Sequence, residues 1–255
     1  MHLKRLYLAV LMMALFGSTA AGFWVTSVRT ETFYANKDSY GWQFPPKANN
    51  GGSNNFQVES YNEKPGNMRG WEAFNISSIP YDAWVVAAKL RLRVWHKTTA
   101  DSERKTGDTT GRIYGVYRLL QDWGEYNISW AYQPNFTDVH HSESPVPPGQ
   151  GAWNSTEPAV WMEWDITDIV KDWRSGIPND GVVVKDLHED SPIVYSTQFF
   201  THDDVPNQSY FPRLIVTYAS PRAVESLVAL FVALAIIITG IWWIRIKRSH
   251  KPTEQ

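Results

Sequence analysis

The sequence predicts an all-β protein: an antiparallel, jelly-roll-like β-sandwich with one short helix, followed by a C-terminal transmembrane helix. Three observations lead to this prediction. Short runs rich in β-branched and aromatic residues recur between clusters of Gly, Pro, Asn and Ser. No long helical pattern alternates with these runs, which argues against the parallel α/β classes. A charge-free apolar stretch, Leu227 to Ile244, is long enough to cross about 30 Å of hydrocarbon as a helix.

The chain begins with the pattern of a secretory signal peptide. Lys4 and Arg5 precede an apolar run from Leu6 to Phe16, and small residues follow up to Ala21. A membrane anchor is the competing interpretation, but this run is too short to cross a bilayer. We therefore expect residues 1–22 to be a signal peptide and residues 23–220 to form one extracellular domain.

Nine candidate strands fill this domain. They are residues 23–34, 54–60, 69–75, 85–96, 112–120, 161–166, 181–186, 194–199 and 213–218. The clearest pattern lies in Lys89 to Trp95, where three apolar residues alternate with cationic ones, so that one face is buried and the other solvated. Only residues 167–175 have a helical pattern. Two long connections, 97–110 and 133–158, are typical of binding loops.

At the C-terminus, residues 224–244 are the predicted transmembrane helix. A cationic cluster follows it: Arg245, Lys247, Arg248 and Lys251. The positive-inside rule then places the tail, residues 245–255, in the cytoplasm and the domain outside the cell. The predicted localisation is the cell membrane, with a single pass. A buried core helix is one alternative; the other, a sorting signal that is cut off and replaced by a different anchor, stays open.

The predicted domain is acidic and the chain contains no cysteine. Residues 22–220 hold 17 basic and 24 acidic side chains, a net charge of −7, which argues against a nucleic-acid partner. The absence of cysteine excludes disulfides and zinc–thiolate sites. The fold must therefore rest on its core, and tryptophan, of which the chain has thirteen, brings a large apolar area to such a core.

Five Asn-x-Ser/Thr triplets are candidate glycosylation sites. They are Asn75, Asn127, Asn135, Asn154 and Asn207. Such sites fit a domain outside the cell.

Seven short motifs follow one another along the domain. They are Arg69–Pro80 (RGWEAFNISSIP), Ala88–Leu92 (AKLRL), Ile113–Leu119, Trp123 with Glu125 and Ile128–Trp130, Trp164–Thr167 (WDIT), Trp173 to Gly181, and Pro212–Tyr218 (PRLIVTY). In this order they resemble the DNRLRE domain, a disaggregatase-related module grouped with carbohydrate-binding modules. The resemblance implies a β-sandwich on a secreted or cell-surface protein, with polysaccharide binding in some members.

Trp95 and Trp42 are the candidate sugar-stacking residues. Trp95 shares the polar face of its predicted strand with Arg91 and Arg93. Flat aromatic rings beside cationic donors suit a sugar that bears hydroxyl or carboxylate groups. The alternative is an ordinary amphipathic strand packed under a neighbouring loop. The tryptophans within the motifs are expected in the core: Trp123, Trp130, Trp164 and Trp173.

Acidic residues near one predicted hairpin are candidate calcium ligands. They are Asp186, Asp190, Asp203 and Asp204. A solvated acidic turn is the alternative, because the spacing of an EF-hand is absent. We expect no cofactor.

The sequence carries no common catalytic motif, whether a zinc-binding His-Glu-x-x-His, a Gly-x-Ser-x-Gly elbow or a phosphate-binding glycine loop. We therefore expect a non-catalytic cell-surface module that binds polysaccharide or mediates adhesion, with the membrane as a partner. A structural envelope component that acts through protein–protein contacts is the alternative. A polysaccharide lyase or hydrolase is a third.

Overall fold

The structure, a computed structural model, describes residues 24–97, 111–147, 160–203, 208–223, 235, 237–240, 242 and 243. Several predictions lie outside these residues. They are the signal peptide (1–22), the cytoplasmic tail (245–255), most of the transmembrane helix (224–244), the glycosylation candidates Asn154 and Asn207, and the calcium candidate Asp204.

Ten strands and one short α-helix make up the regular structure of the described β domain. They are β1 (Trp24–Trp42), β2 (Asn55–Ser60), β3 (Met68–Phe74), β4 (Trp84–Lys97), β5 (Ile113–Arg118), β6 (Ser142–Pro145), β7 (Trp161–Asp165), α1 (Thr167–Arg174), β8 (Val182–Asp186), β9 (Tyr195–Phe200) and β10 (Arg213–Ala223). Each strand pairing with an assigned register is antiparallel. The all-β, antiparallel class is thus confirmed.

The sheet closes on itself. Its strands follow the order β1-β10-β4-β9-β2-β3-β8-β5-β6, β7 pairs with β4, and an additional β1–β3 pairing joins two strands of the path. This closure protects strand edges that would otherwise expose unpaired backbone groups. Strand β4 connects several parts of the sheet, because it pairs with β10, β7 and β9.

The alternation predicted for β4 decides which of its faces joins the core. Leu90, Leu92 and Val94 are fully buried, and the odd-numbered positions point to the other side because successive strand residues alternate. Of the motif tryptophans, Trp123, Trp164 and Trp173 are buried and Trp130 is half-buried. Trp164 also donates a hydrogen bond from Nε1 to the Tyr114 carbonyl at 2.8 Å.

Helix α1 begins at the predicted residue and ends at Arg174, one residue before the predicted end. It buries Ile169, Val170 and Trp173 along one face. Before it, the Asp165 carboxylate accepts the Thr167 backbone N–H at 3.0 Å, and after it Gly176 adopts a φ of 106°. A left-handed glycine is a common way to end a helix.

Two elements differ from the sequence prediction. Strand β6 falls within the segment predicted as the long loop 133–158; it is a short, polar strand ending in Pro145, so it lacks an apolar alternation. Strand β1 continues to Trp42, eight residues past its predicted end. The added residues include Asp38 and Ser39, whose polarity is typical of a loop although both are buried.

The chain divides into two compact units, residues 28–219 and residues 1–27 with 220–255. The first holds the β domain. Within the second, the Ser27 and Ser220 hydroxyls lie 3.2 Å apart, and the described residues between 235 and 243 are helical. Among the described residues, no helix combines the length and apolarity needed to cross a bilayer. The C-terminal anchor therefore stays a prediction.

Candidate functional site

The polar side of β4 carries arginines that lie over aromatic rings. We define the arginine–aromatic face by its members: Arg91 and Arg93 of β4, Arg213 of β10, Trp161 of β7, Tyr210 of the short turn before β10, and Tyr34 of β1. The register assembles it, because Arg91 pairs with both Arg213 and Glu163, while Arg93 pairs with Trp161. Side chains at paired positions lie on the same side of a sheet.

Trp161 is the central ring of this face. The Arg213 and Arg91 guanidinium carbons lie 4.4 and 5.0 Å from its ring centroid. Arg213 also lies 5.8 Å from the ring of Tyr34. These separations fall within the range of cation–π attraction. Trp161, Arg91 and Arg213 therefore hold one another in place.

Arg93 lies deeper than the other two arginines. Its guanidinium carbon is 3.8 Å from the Tyr210 ring centroid and 5.3 Å from that of Phe200, and the residue is only 5% exposed. Arg91, Arg213 and Trp161 are half-buried. A ligand from solvent can therefore reach these three residues. Arg93 is too deeply buried for direct contact, but its positive charge adds to the electrostatic potential of the face.

The arginine–aromatic face is cationic in an acidic domain. With the flanking positions of β4 and β7 it gathers four cations, Lys89, Arg91, Arg93 and Arg213, and two carboxylates, Glu163 and Asp165. Glu163 lies 2.6 Å from Arg91 and 3.4 Å from Lys89. Burial and the charges of Arg91 and Arg93 lower the pKa of Arg213. The positive excess makes this surface attractive to an anion.

The four predicted sugar-binding residues do not form one surface. Trp95 adjoins the face through Phe200, whose ring lies 5.9 Å from that of Trp95 and also contacts Arg93. Trp42 belongs to a different strand pair, β1–β3, where it packs on the core and lies 6.0 Å from the ring of Tyr40.

Sequence reasoning missed Trp161 and Arg213 as site residues. The sequence shows that each of them precedes an apolar residue, Met162 or Leu214, that is buried in the structure. It does not show the strand register that brings Trp161 and Arg213 close to Arg91.

The acidic candidates occupy separate environments. Both oxygens of Asp186 are engaged, one with the His188 backbone N–H and the other with Arg112 at 2.8 Å. Asp190 accepts a hydrogen bond from Asn67 at 2.7 Å. Asp203 instead joins a cluster with residues that the prediction did not include. Asp38, Glu125, His202 and Asp203 each offer one donor atom within 4.8 Å of the others. We call this set the carboxylate–histidine cluster.

Three glycosylation candidates fall within the described residues, and all three side chains are exposed: Asn75, Asn127 and Asn135. Their positions leave room for a glycan.

Comparison with known proteins identifies the family. The family model of carbohydrate-binding module family 96 matches residues 29–211, which include the arginine–aromatic face and the carboxylate–histidine cluster. No curated protein matches the chain. The match supports the carbohydrate-binding part of the resemblance and not the DNRLRE name in particular. With most of its length matched, this chain belongs to carbohydrate-binding module family 96.

Proposed function

We propose that this chain is a non-catalytic module at the cell surface that binds an acidic polysaccharide through the arginine–aromatic face. The family supports carbohydrate binding without catalysis. The acidic character of the ligand is inferred from the charge and chemistry of the face.

The observation that carries the proposal is the stacking of Arg91 and Arg213 on Trp161. The indole of Trp161 holds both guanidinium groups in place, and guanidinium groups bind carboxylates or sulfates through paired N–H donors. Because the stacking already orders both arginines, binding costs less side-chain entropy than it would with mobile arginines.

Glu163 occupies the position that a ligand carboxylate would take. Its ion pair with Arg91 is partly exposed, with 39% of the Glu163 side chain accessible. Ion pairs near the surface contribute little stability, so an anionic sugar can compete with Glu163 for the guanidinium. Glu163 is thus a candidate internal substitute for the ligand.

The paired acids of β7 support binding rather than hydrolysis. Glu163 pairs with Arg91, and Asp165 accepts hydrogen bonds from Thr167. The hydrogen bonds from Thr167 lower the pKa of the Asp165 carboxyl. A glycosidase needs one of its two acids protonated near neutral pH.

The surface location rests on the sequence. Residues 1–22 resemble a signal peptide, and residues 224–244 with the cationic tail resemble a membrane anchor. Ile237, Ile238, Trp242 and Trp243 are helical and exposed, as expected for a helix that meets lipid. Adding protease to intact cells tests this topology: digestion of the tail while residues 23–220 survive would contradict it.

The test of the ligand is calorimetric titration of the purified full chain with neutral and acidic polysaccharides of matched length. We expect binding to the acidic series, weakened at least tenfold in Arg91→Gln. Lys171→Gln, which removes one exposed cation from α1, is the charge-matched control and should bind normally. Equal binding by both variants would refute the proposed site. Assembly of the chain with itself, without polysaccharide binding, would favour the envelope-component alternative.

A further inference from the structure

We propose that the carboxylate–histidine cluster, Asp38, Glu125, His202 and Asp203, binds a divalent transition-metal cation of the Zn²⁺ or Mn²⁺ type. The site shares no residue with the arginine–aromatic face. The metal-binding proposal can therefore be tested independently of the proposed sugar binding.

The fold brings these four residues together from three distant segments. Asp38 lies in β1, Glu125 follows β5, and His202 with Asp203 follows β9. One donor atom from each lies within 4.8 Å of the rest. A local acidic turn could not produce this arrangement, because Asp38 and His202 are 164 residues apart in the sequence.

The histidine is oriented toward the two partly exposed carboxylates. Asp38 Oδ2 lies 2.8 Å from His202 Nδ1 and also accepts the His202 backbone N–H. A carboxylate on one imidazole nitrogen commonly fixes a histidine whose other nitrogen binds a metal. Asp38 is thus the orienting residue, and Nε2 is the nitrogen left to face the cluster.

The gaps around Nε2 fit an ion better than hydrogen bonds. Nε2 lies 3.8 Å from Glu125 Oε1 and 3.9 Å from Asp203 Oδ1, and both separations are too long for hydrogen bonds. Ligand atoms around a tetrahedral metal with bonds of about 2.0–2.2 Å stand roughly 3.3–3.6 Å apart. Only a slight inward movement would let Nε2 and the two carboxylates share one cation.

A second observation points to a missing cation, namely a fully buried carboxylate beside the cluster. Glu72 pairs with Asp38 across the β1–β3 ladder, so both side chains lie on the same side of the sheet. Glu72 is 0% exposed, and neither of its oxygens has a hydrogen-bond partner among the described residues. Asp38 Oδ1 and Asp203 Oδ2 are likewise buried and unpartnered within that part of the chain.

Buried carboxylates without partners are unfavourable unless a positive charge balances them. Among the described residues, His202 is the basic side chain that the cluster itself provides to balance Asp38, Glu72, Glu125 and Asp203. A divalent cation would balance this concentration of negative charge.

The donor set selects the class of metal. Calcium prefers a shell made wholly of oxygen ligands, whereas imidazole suits zinc and other transition metals. One imidazole nitrogen with two carboxylates, and Asp38 behind the imidazole, therefore favours Zn²⁺ or Mn²⁺.

The test is titration of the purified, EDTA-treated full chain with ZnCl₂, MnCl₂ and CaCl₂ by isothermal calorimetry. We expect one Zn²⁺ or Mn²⁺ per chain, with the affinity at least tenfold lower in Glu125→Gln, Asp203→Asn and His202→Gln. Asp168→Asn, which removes an equal charge from the surface of α1, is the control and should bind normally.

A spectroscopic measurement keeps the proposal testable if a variant fails to fold. Co²⁺ added to the unaltered chain should produce visible d–d absorption typical of a mixed nitrogen–oxygen site, and Zn²⁺ should displace it. The proposal is overturned if no ion binds stoichiometrically. It is equally overturned if Ca²⁺ alone binds, or if a folded His202→Gln variant retains full Zn²⁺ affinity.

Discussion

Arg213 and Arg91 lie directly opposite each other on neighbouring antiparallel strands, and both guanidinium groups contact the indole of Trp161. Like charges in such cross-strand pairs normally repel and destabilise a sheet. Here the indole ring and Glu163 offset part of that repulsion. An anionic ligand bridging the two arginines would offset more of it, which links the stability of this face to its proposed function.

Removing the central ring should weaken binding more than folding. In Trp161→Ala the two arginines lose the surface that orders them, so we expect affinity for an acidic polysaccharide to fall at least tenfold, about 1.4 kcal/mol. Because Trp161 is only half-buried, the free energy of unfolding should fall by about 1–2 kcal/mol. Calorimetric titration and urea denaturation of the full chain measure the two effects. Retention of wild-type affinity in a folded variant would place the ligand elsewhere.

Binding should also depend on salt. Exposed charges more than about 8–10 Å apart are largely screened near physiological ionic strength, and closer ones are partly screened. We therefore expect affinity for an acidic polysaccharide to fall steadily as NaCl rises from about 0.05 M to about 0.5 M. Repeating the titration with Arg213→Gln should give a shallower dependence on salt. A salt-independent affinity would show that stacking alone drives binding.

A buried ion-pair network predicts how stability responds to acid. Arg69 donates two hydrogen bonds of 2.8 Å to Glu189, and Lys185 donates a third of 3.1 Å. Burial alone would raise the pKa of Glu189, but these contacts outweigh it, and the folded-state pKa lies below the ordinary value of 4.5. The network's contribution is therefore fully present above about pH 4.5 and is lost as the pH falls through the lower, folded-state pKa.

Glu189→Gln should lower the free energy of unfolding at pH 7 by about 3 kcal/mol, since it leaves Arg69 and Lys185 without their buried partner. The difference from the unaltered chain should shrink as the pH falls below 4.5 and vanish below the lower, folded-state pKa, where Glu189 is itself protonated in the folded chain. Urea denaturation from pH 7 down to pH 3 measures both effects. Glu143→Gln, at a more exposed carboxylate, is the control. A pH-independent difference would mean that Glu189 does not titrate as inferred.

The sequence predicted the parts of the fold that depend on local patterns. The alternation through Leu90, Leu92 and Val94 identified β4 and its polar side, and the apolar spacing of Ile169, Val170 and Trp173 identified α1. Strand β6 and the second half of β1 were missed because both are polar. Their pairing is decided by distant strands rather than by their own residues.

The two candidate sites show the same limit. Arg91 and Arg93 could be selected from one strand, but Trp161 and Arg213 join them through long-range register. Asp203 could be selected as an acidic loop residue, whereas Asp38 and Glu125 come to it from segments that are distant in the sequence. Periodicity predicts which way a side chain points, and it does not reveal which distant side chain lies beside it.

Gly181 and Gly176 provide a matched test of close packing beside the carboxylate–histidine cluster. Both adopt positive φ angles, 92° and 106°. A Cβ at Gly181 would lie 2.3 Å from the Glu72 carbonyl oxygen, whereas nothing lies within 4 Å of a Cβ at Gly176.

Gly176→Ala should therefore cost only the strain of the left-handed backbone, about 1–2 kcal/mol. Gly181→Ala bears the same strain and must in addition push back the strand that carries Glu72, so we expect it to cost at least about 3 kcal/mol. Urea denaturation of the two variants measures the difference. An equal loss of unfolding free energy in the two variants would show that β3 moves away from residue 181 at little cost. Zn²⁺ titration of the folded Gly181→Ala variant would then show whether that movement reaches the carboxylate–histidine cluster.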